Sequence, residues 1–229
     1  MTFDSQPTTY LLYIDTSSDT GTVAISRDEK LLAYKSNTDS RNHAAFINGM
    51  IDEVLAEAGI SLQQLNGLVV CAGPGSYTGL RIGMATAKGL CYVLDKPLFL
   101  HNKLTLLCWQ QYYNDPKKQG TYTAILTARE KEYFISAHDN NFVCIVRPQH
   151  ILSDKLNDFI PSDKETLIIT DNDFISQNLL NNSKIRIVKN VSIIVEHWII
   201  YALEDFKCNI SVNLSSAEPF YLKQVYTHK

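Results

Sequence analysis

The chain has 229 residues, 45% hydrophobic and 20% charged, which is enough for one large or two small hydrophobic cores and excludes a disordered or fibrous polypeptide. Its formal charge is -3 and its basic pairs are short, as at Lys117-Lys118, so strong nucleic-acid binding by a basic stripe of its own is not expected. The five cysteines (Cys71, Cys91, Cys108, Cys144 and Cys208) form no C-x-x-C pair, which argues against a metal finger and for a reducing compartment.

In chain order, Tyr10–Asp15, Thr22–Arg27 and Leu31–Ser36 read as a meander of antiparallel strands separated by turn residues. Ile47, Met50, Ile51, Val54, Leu55 and Ala58 then recur with helical period, and Gly59 stops that helix. Leu68–Ala72 is a buried strand. Gly73-Pro74-Gly75 turns the chain into a second long helix over Tyr77–Leu94, and Leu98–Leu100 and a helix near Leu104–Tyr113 complete the set. This β-β-β-α-β-α-β-α order is that of a ribonuclease H-like domain, the half-unit of actin-like (ASKHA) folds.

Asn114–Gly120 has linker chemistry, which divides the chain into 1–113 and 114–229. The second part repeats the order in reduced form. It has strands at Tyr122–Thr127, Tyr133–Ala137 and Phe142–Val146, a helix near Asp154–Phe159, strands at Leu167–Thr170 and Ile185–Val188, and a helix over Val191–Phe206. The expected fold class is therefore α/β, actin-like, with two subdomains and the second reduced. The start of the chain lacks a basic end followed by an apolar stretch, and Ser192–Leu203 is too short to cross a bilayer. A cytoplasmic location is expected.

Two segments could carry chemistry. Asp15, Thr16 and Ser17 lie in the first β-turn, where such residues either hold a metal and nucleotide phosphates or close the turn by side-chain to backbone bonds. Gly73–Gly79 leads from a strand into a helix start, which suits either an anion or a Pro-Gly turn with positive φ at Gly75. It matches neither the P-loop nor the dinucleotide pattern.

The helix that follows is apolar around most of its circumference. Gly79, Gly83, Ala87 and Gly89 put small residues where another helix could approach. Such a helix is either buried within one domain or covered by another chain; an intermolecular contact is the expectation, through Ala45, Gly49, Gly79, Gly83, Met84, Ala87, Leu90, Cys91 and Leu94.

All ten glycines lie at or before Gly120, so the second part has no glycine-rich phosphate loop; its matching strand end reads Thr170–Asp173. No two of the six histidines are four residues apart, and no G-x-S-x-G elbow is present.

Ile14–Ser17, the His43 helix and Ala72–Gly83 (AGPGSYTGLRIG) together resemble the TsaB family, the partner proteins of tRNA threonylcarbamoyladenosine synthesis. Thr127–Arg129, Glu132-Tyr133 and Ala217–Lys223 extend the resemblance. It implies a catalytically silent, degenerate relative of the transferase TsaD, without cofactor. It also implies a heterodimer with a TsaD-like enzyme through the first two long helices, joined by a TsaE-like ATPase, with tRNA met only indirectly. A homodimer through the same helices is the expected state in isolation.

TsaD carries a metal-binding histidine pair, and the matching positions here are Lys103 and Leu107, so no metal is expected. The family's Asp at position 127 is Thr127 in this chain. An actin-like ATP-dependent phosphotransferase and a metallopeptidase-like protein are the alternative readings.

Overall fold

The computed structural model describes residues 8–39, 42–115, 117, 120–161, 164–179 and 183–222. The sequence readings at 1–7, at Lys118 and Gln119, and at Lys223 and His228 lie outside them. Two compact units are present: 1–101 with 198–219, and 102–197 with 220–229. The units are not contiguous in the chain, so no single cut such as 113/114 separates them.

The first unit is built on a five-stranded sheet in the order β3-β2-β1-β4-β5. Strands β1 (Tyr10–Asp15), β2 (Gly21–Arg27) and β3 (Lys30–Asn37) form the antiparallel meander, and β4 (Gly67–Cys71) and β5 (Leu98–His101) run parallel to β1. Residues Leu11 to Ile14 are fully buried, as required of a central strand covered on both faces.

On one face, Leu12, Ile14, Val23 and Val70 meet α1 (His43–Ala58) and α2 (Tyr77–Leu94). Each fully buried Leu or Ile there contributes about 1.5–3 kcal/mol relative to exposure. Gly59, at φ 67°, ends α1 in the left-handed conformation that glycine adopts freely. On the other face, Tyr13 meets Trp198 edge-on at 5.3 Å and Phe99 meets Phe206 at 5.9 Å. Both partners come from α6 (Val195–Lys207).

The second unit has a sheet in the order β10-β9-β6-β7-β8, which repeats the first when read from the third meander strand. Its strands are β6 (Thr121–Arg129), β7 (Glu132–His138), β8 (Cys144–Leu152), β9 (Thr166–Thr170) and β10 (Ile185–Val188). Helix α3 (Lys103–Asn114) buries Leu104, Leu107 and Cys108 against Tyr122, Ala124 and Ile169. The reduction is in the helices: α4 (Leu156–Phe159) has 4 residues and α5 (Asp173–Leu179) has 7, where α1 and α2 have 16 and 18.

Most boundaries fall within a residue or two of expectation, and three elements depart further. The third strand is Cys144–Leu152, not Phe142–Val146, because Pro148 sits on an edge strand beside a register shift, where its missing N–H leaves no gap in the ladder. Helix α5 was not anticipated. The last helix starts at Val195, not Val191.

Candidate functional site

The β1–β2 turn and the start of α2 form one tightly packed corner. Asp15, Thr16 and Ser17 are all buried. Asp15 Oδ1 accepts the Ser17 N–H at 2.8 Å, closing the turn on itself. Thr16 Oγ1 donates to the Gly79 carbonyl at 2.6 Å, and the Ser17 carbonyl accepts the Ser76 N–H at 2.7 Å. The next carbonyl, that of Ser18, takes the Nε2 of buried His43 at 3.0 Å.

This contact explains the glycines. A Cβ on Gly75 would run into the Ser17 carbonyl, one on Gly79 into the Thr16 carbonyl, and one on Gly83 into Thr16 Oγ1. The positive φ of the loop is at Gly73 (105°), not Gly75, which is glycine for want of space. The loop is also poorly free to cradle an anion. Ser76 N–H is bonded to Ser17, and Gly79 N–H to the capping Ser76 Oγ at 3.2 Å.

The nine positions expected at an interface therefore separate. Gly79, Gly83, Met84, Ala87 and Cys91 are buried in their own unit, so the reading that presents them to another chain is corrected. The lack of a side chain at Gly79 and Gly83 accommodates the β1–β2 turn and the sheet below. Ala45 and Gly49 on α1 are exposed, while Leu90 and Leu94 are half-buried.

An apolar outer flank does exist, on other residues. Tyr92 is 81% exposed, Val93 79% and Phe46 43%, alongside exposed Ala85 and Gly89. A Cβ on Gly49 or Gly89 would meet nothing within 4 Å. At the head of α2 the Arg81 guanidinium lies 4.8 Å over the Tyr77 ring.

In the second unit the corresponding corner is stitched by side chains. Thr127 donates to Asp171 Oδ1 through both its N–H (3.0 Å) and its hydroxyl (2.9 Å). Asn172 Nδ2 donates to Thr127 Oγ1 at 3.1 Å, and Asn172 Oδ1 accepts the Ile175 N–H at 3.0 Å, capping α5. Asp173 is exposed and paired with Lys189, whose hydrogen bond lowers its pKa. Arg129 is exposed at the strand end.

Lys103 and Leu107 lie buried on α3, and neither side chain fits a metal in place of an imidazole pair. Among the described residues no three His, Cys, Asp or Glu side chains gather as a metal site.

Two buried histidines, His101 and His138, set an acid limit. His101 Nδ1 accepts the Trp198 Nε1–H at 2.7 Å, which leaves Nε2–H to donate to Asp205 at 3.1 Å. Burial lowers the His101 pKa, Asp205 offsetting part of it. His138 stacks on Phe142 at 4.4 Å, and burial pushes its pKa down to about 4. In the unfolded chain both rings titrate near 6.5. Their contribution is thus intact above that pH and is lost as the pH falls towards 4, where the unfolded state binds the extra protons. Urea titrations should show stability falling by on the order of 2 kcal/mol between pH 7 and pH 4.5, with a smaller fall in His138→Gln.

The sequence matches a family model described as TsaD, tRNA N6-adenosine threonylcarbamoyltransferase, over residues 34–151, just over half of the chain. It is 34% identical over 127 residues to a Haemophilus influenzae protein named as the tRNA threonylcarbamoyladenosine biosynthesis protein TsaB, covering 55% of this chain and 52% of that protein. The TsaB protein of Bacillus subtilis is 32% identical over 124 residues, again about half of each chain. The match thus spans about half the length of these curated relatives.

YeaZ from Pseudomonas aeruginosa superposes with a TM-score of 0.75 at 20% identity, covering 93% of this chain and 100% of that one. A Bacteroides thetaiotaomicron protein with an actin-like ATPase fold superposes with a TM-score of 0.50 at 9% identity, over 88% of this chain and 99% of that one. The fold is actin-like, and no helix among the described residues is long and apolar enough to cross a membrane. Similar to TsaB proteins over about half its length, the chain belongs to the family that this model describes, TsaD.

Proposed function

We propose that the chain is a non-catalytic cytoplasmic subunit that binds and supports a TsaD-type enzyme in forming threonylcarbamoyladenosine at position 37 of tRNA. The carrying observation is the pair Tyr92 and Val93, both about four-fifths exposed on α2 beside glycines with open space above them. Apolar surface of this kind is costly on an isolated chain unless something covers it. The named relatives supply the pathway. The committed β1–β2 corner supports a structural role for the motif that opens α2. The charge of -3 leaves tRNA to the partner, with a TsaE-like ATPase as the further member. Two copies joined by the same flank through a two-fold contact would cover it when the enzyme is absent.

The test is size exclusion of the chain mixed with a TsaD-type enzyme. Gly89→Arg and Tyr92→Asp alter exposed positions and should leave the melting transition within about 1 kcal/mol of wild type. Both should abolish co-elution. Absence of a complex with the wild-type chain, or a complex indifferent to both changes, would refute the reading.

A further inference from the structure

Away from the α1–α2 flank, the first unit carries a cleft of about 940 Å³ between the β2–β3 hairpin and the end of α6. Its volume lies within the roughly 300–1,000 Å³ that small-molecule sites occupy. Leu203, which is buried, and half-buried Phe206 give it an apolar floor, and Asn209 offers an amide at the rim.

Three cations line it: Arg27, Lys30 and Lys207. Among the described residues none of the three makes an ion pair. Arg27 and Lys30 are moreover direct partners across the two strands, an arrangement of like charges that costs the hairpin stability. The two acids of the cleft offset only part of this charge, three cations standing against two carboxylates. Asp28 is turned back into the chain, its Oδ1 accepting the Thr9 N–H at 2.9 Å, while Glu29 alone stands in the turn. In a chain of net charge -3, this local excess of unpaired cations beside an aromatic floor calls for an anion with a flat apolar body.

We propose that the cleft binds a small ring-bearing phosphate of mononucleotide size. Arg27, Lys30 and Lys207 hold the phosphate, and Leu203 and Phe206 carry the ring. The assignment stands apart from the partner-subunit reading, since it uses none of the α1–α2 residues.

Isothermal titration in a phosphate-free, low-salt buffer tests it with three probes: adenosine monophosphate, adenosine and inorganic phosphate. The monophosphate should bind with sub-millimolar affinity, both fragments at least about tenfold more weakly, and the affinity should fall with added chloride. The double variant Arg27→Gln, Lys207→Gln changes only exposed positions, so its fold should persist by circular dichroism. It should lose about tenfold or more in affinity for the monophosphate. No binding of the monophosphate, equal binding of either fragment, or unchanged affinity in the folded double variant would overturn the assignment. Binding lost instead in Asp15→Asn would place the ligand at the β1–β2 turn and overturn it as well.

Discussion

Gly79→Ala is expected to destabilise the chain by about 2–4 kcal/mol, a loss visible as a lowered urea midpoint at unchanged slope. The added methyl would run into the Thr16 carbonyl, with Ser76 Cβ at 3.3 Å on its other side. Neither neighbour can yield cheaply. Thr16 is fixed by its own hydroxyl on the Gly79 carbonyl, and Ser76 is held by the Ser17 carbonyl and by its cap on Gly79. Ten residues further along the same helix the sign should reverse. Gly89 faces open space, so Gly89→Ala should stabilise by up to about 1 kcal/mol through helix propensity alone. Equal effects at the two positions would contradict the packing described for the β1–β2 corner.

The second large effect is expected at Trp198. Trp198→Ala should cost about 3–5 kcal/mol, because the ring is 1% exposed and meets Tyr13 edge-on. Trp198→Phe separates packing from hydrogen bonding. It keeps much of the ring but leaves His101 Nδ1 without its donor inside the unit, which should cost about 1–3 kcal/mol. Its acid sensitivity should change too. With no Trp N–H to accept, the His101 ring loses one reason to stay neutral, so the fall in stability between pH 7 and pH 5 should be shallower than in wild type. A Phe variant as stable as wild type would show that the bond contributes nothing.

Much of the architecture was legible because it rests on short-range pattern. The α1 face was visible as a helical period closed by Gly59, and α2 was bounded correctly from Tyr77 to Leu94. The repeat of one sheet order in the other could be read from element order alone. Helix α5 leaves no signal in the sequence because Asp-Phe-Ile-Ser-Gln-Asn-Leu is too short to display a period and is held by the Asn172 cap. Pro148 hid the length of β8, since tolerance of proline depends on being at a sheet edge.

The corner between the β1–β2 turn and α2 was legible as a motif but not as geometry. Small residues at four-residue spacing fit a neighbouring helix and a neighbouring turn equally well. The partner of Gly79 is a carbonyl 63 residues earlier in the chain, which no local pattern reveals. The outward side of α2 is correspondingly not the side of Gly79, Gly83 and Ala87, and of the four small residues only Gly89 lies on it. The cleft at Arg27 and Lys207 had no signature at all, since it joins a hairpin and a helix end far apart in sequence.

The discontinuity of the first unit bears on how the chain is made. Its sheet is complete at His101, yet Trp198 lies 97 residues further on, and Val212 and Ala217 still later. Translation at about 5–20 residues per second delays that closing segment by roughly 5–20 s after the sheet has emerged. Throughout that interval Tyr13, Phe99 and His101 face water or a chaperone, and the unit can mature only once residues 198–219 have been made.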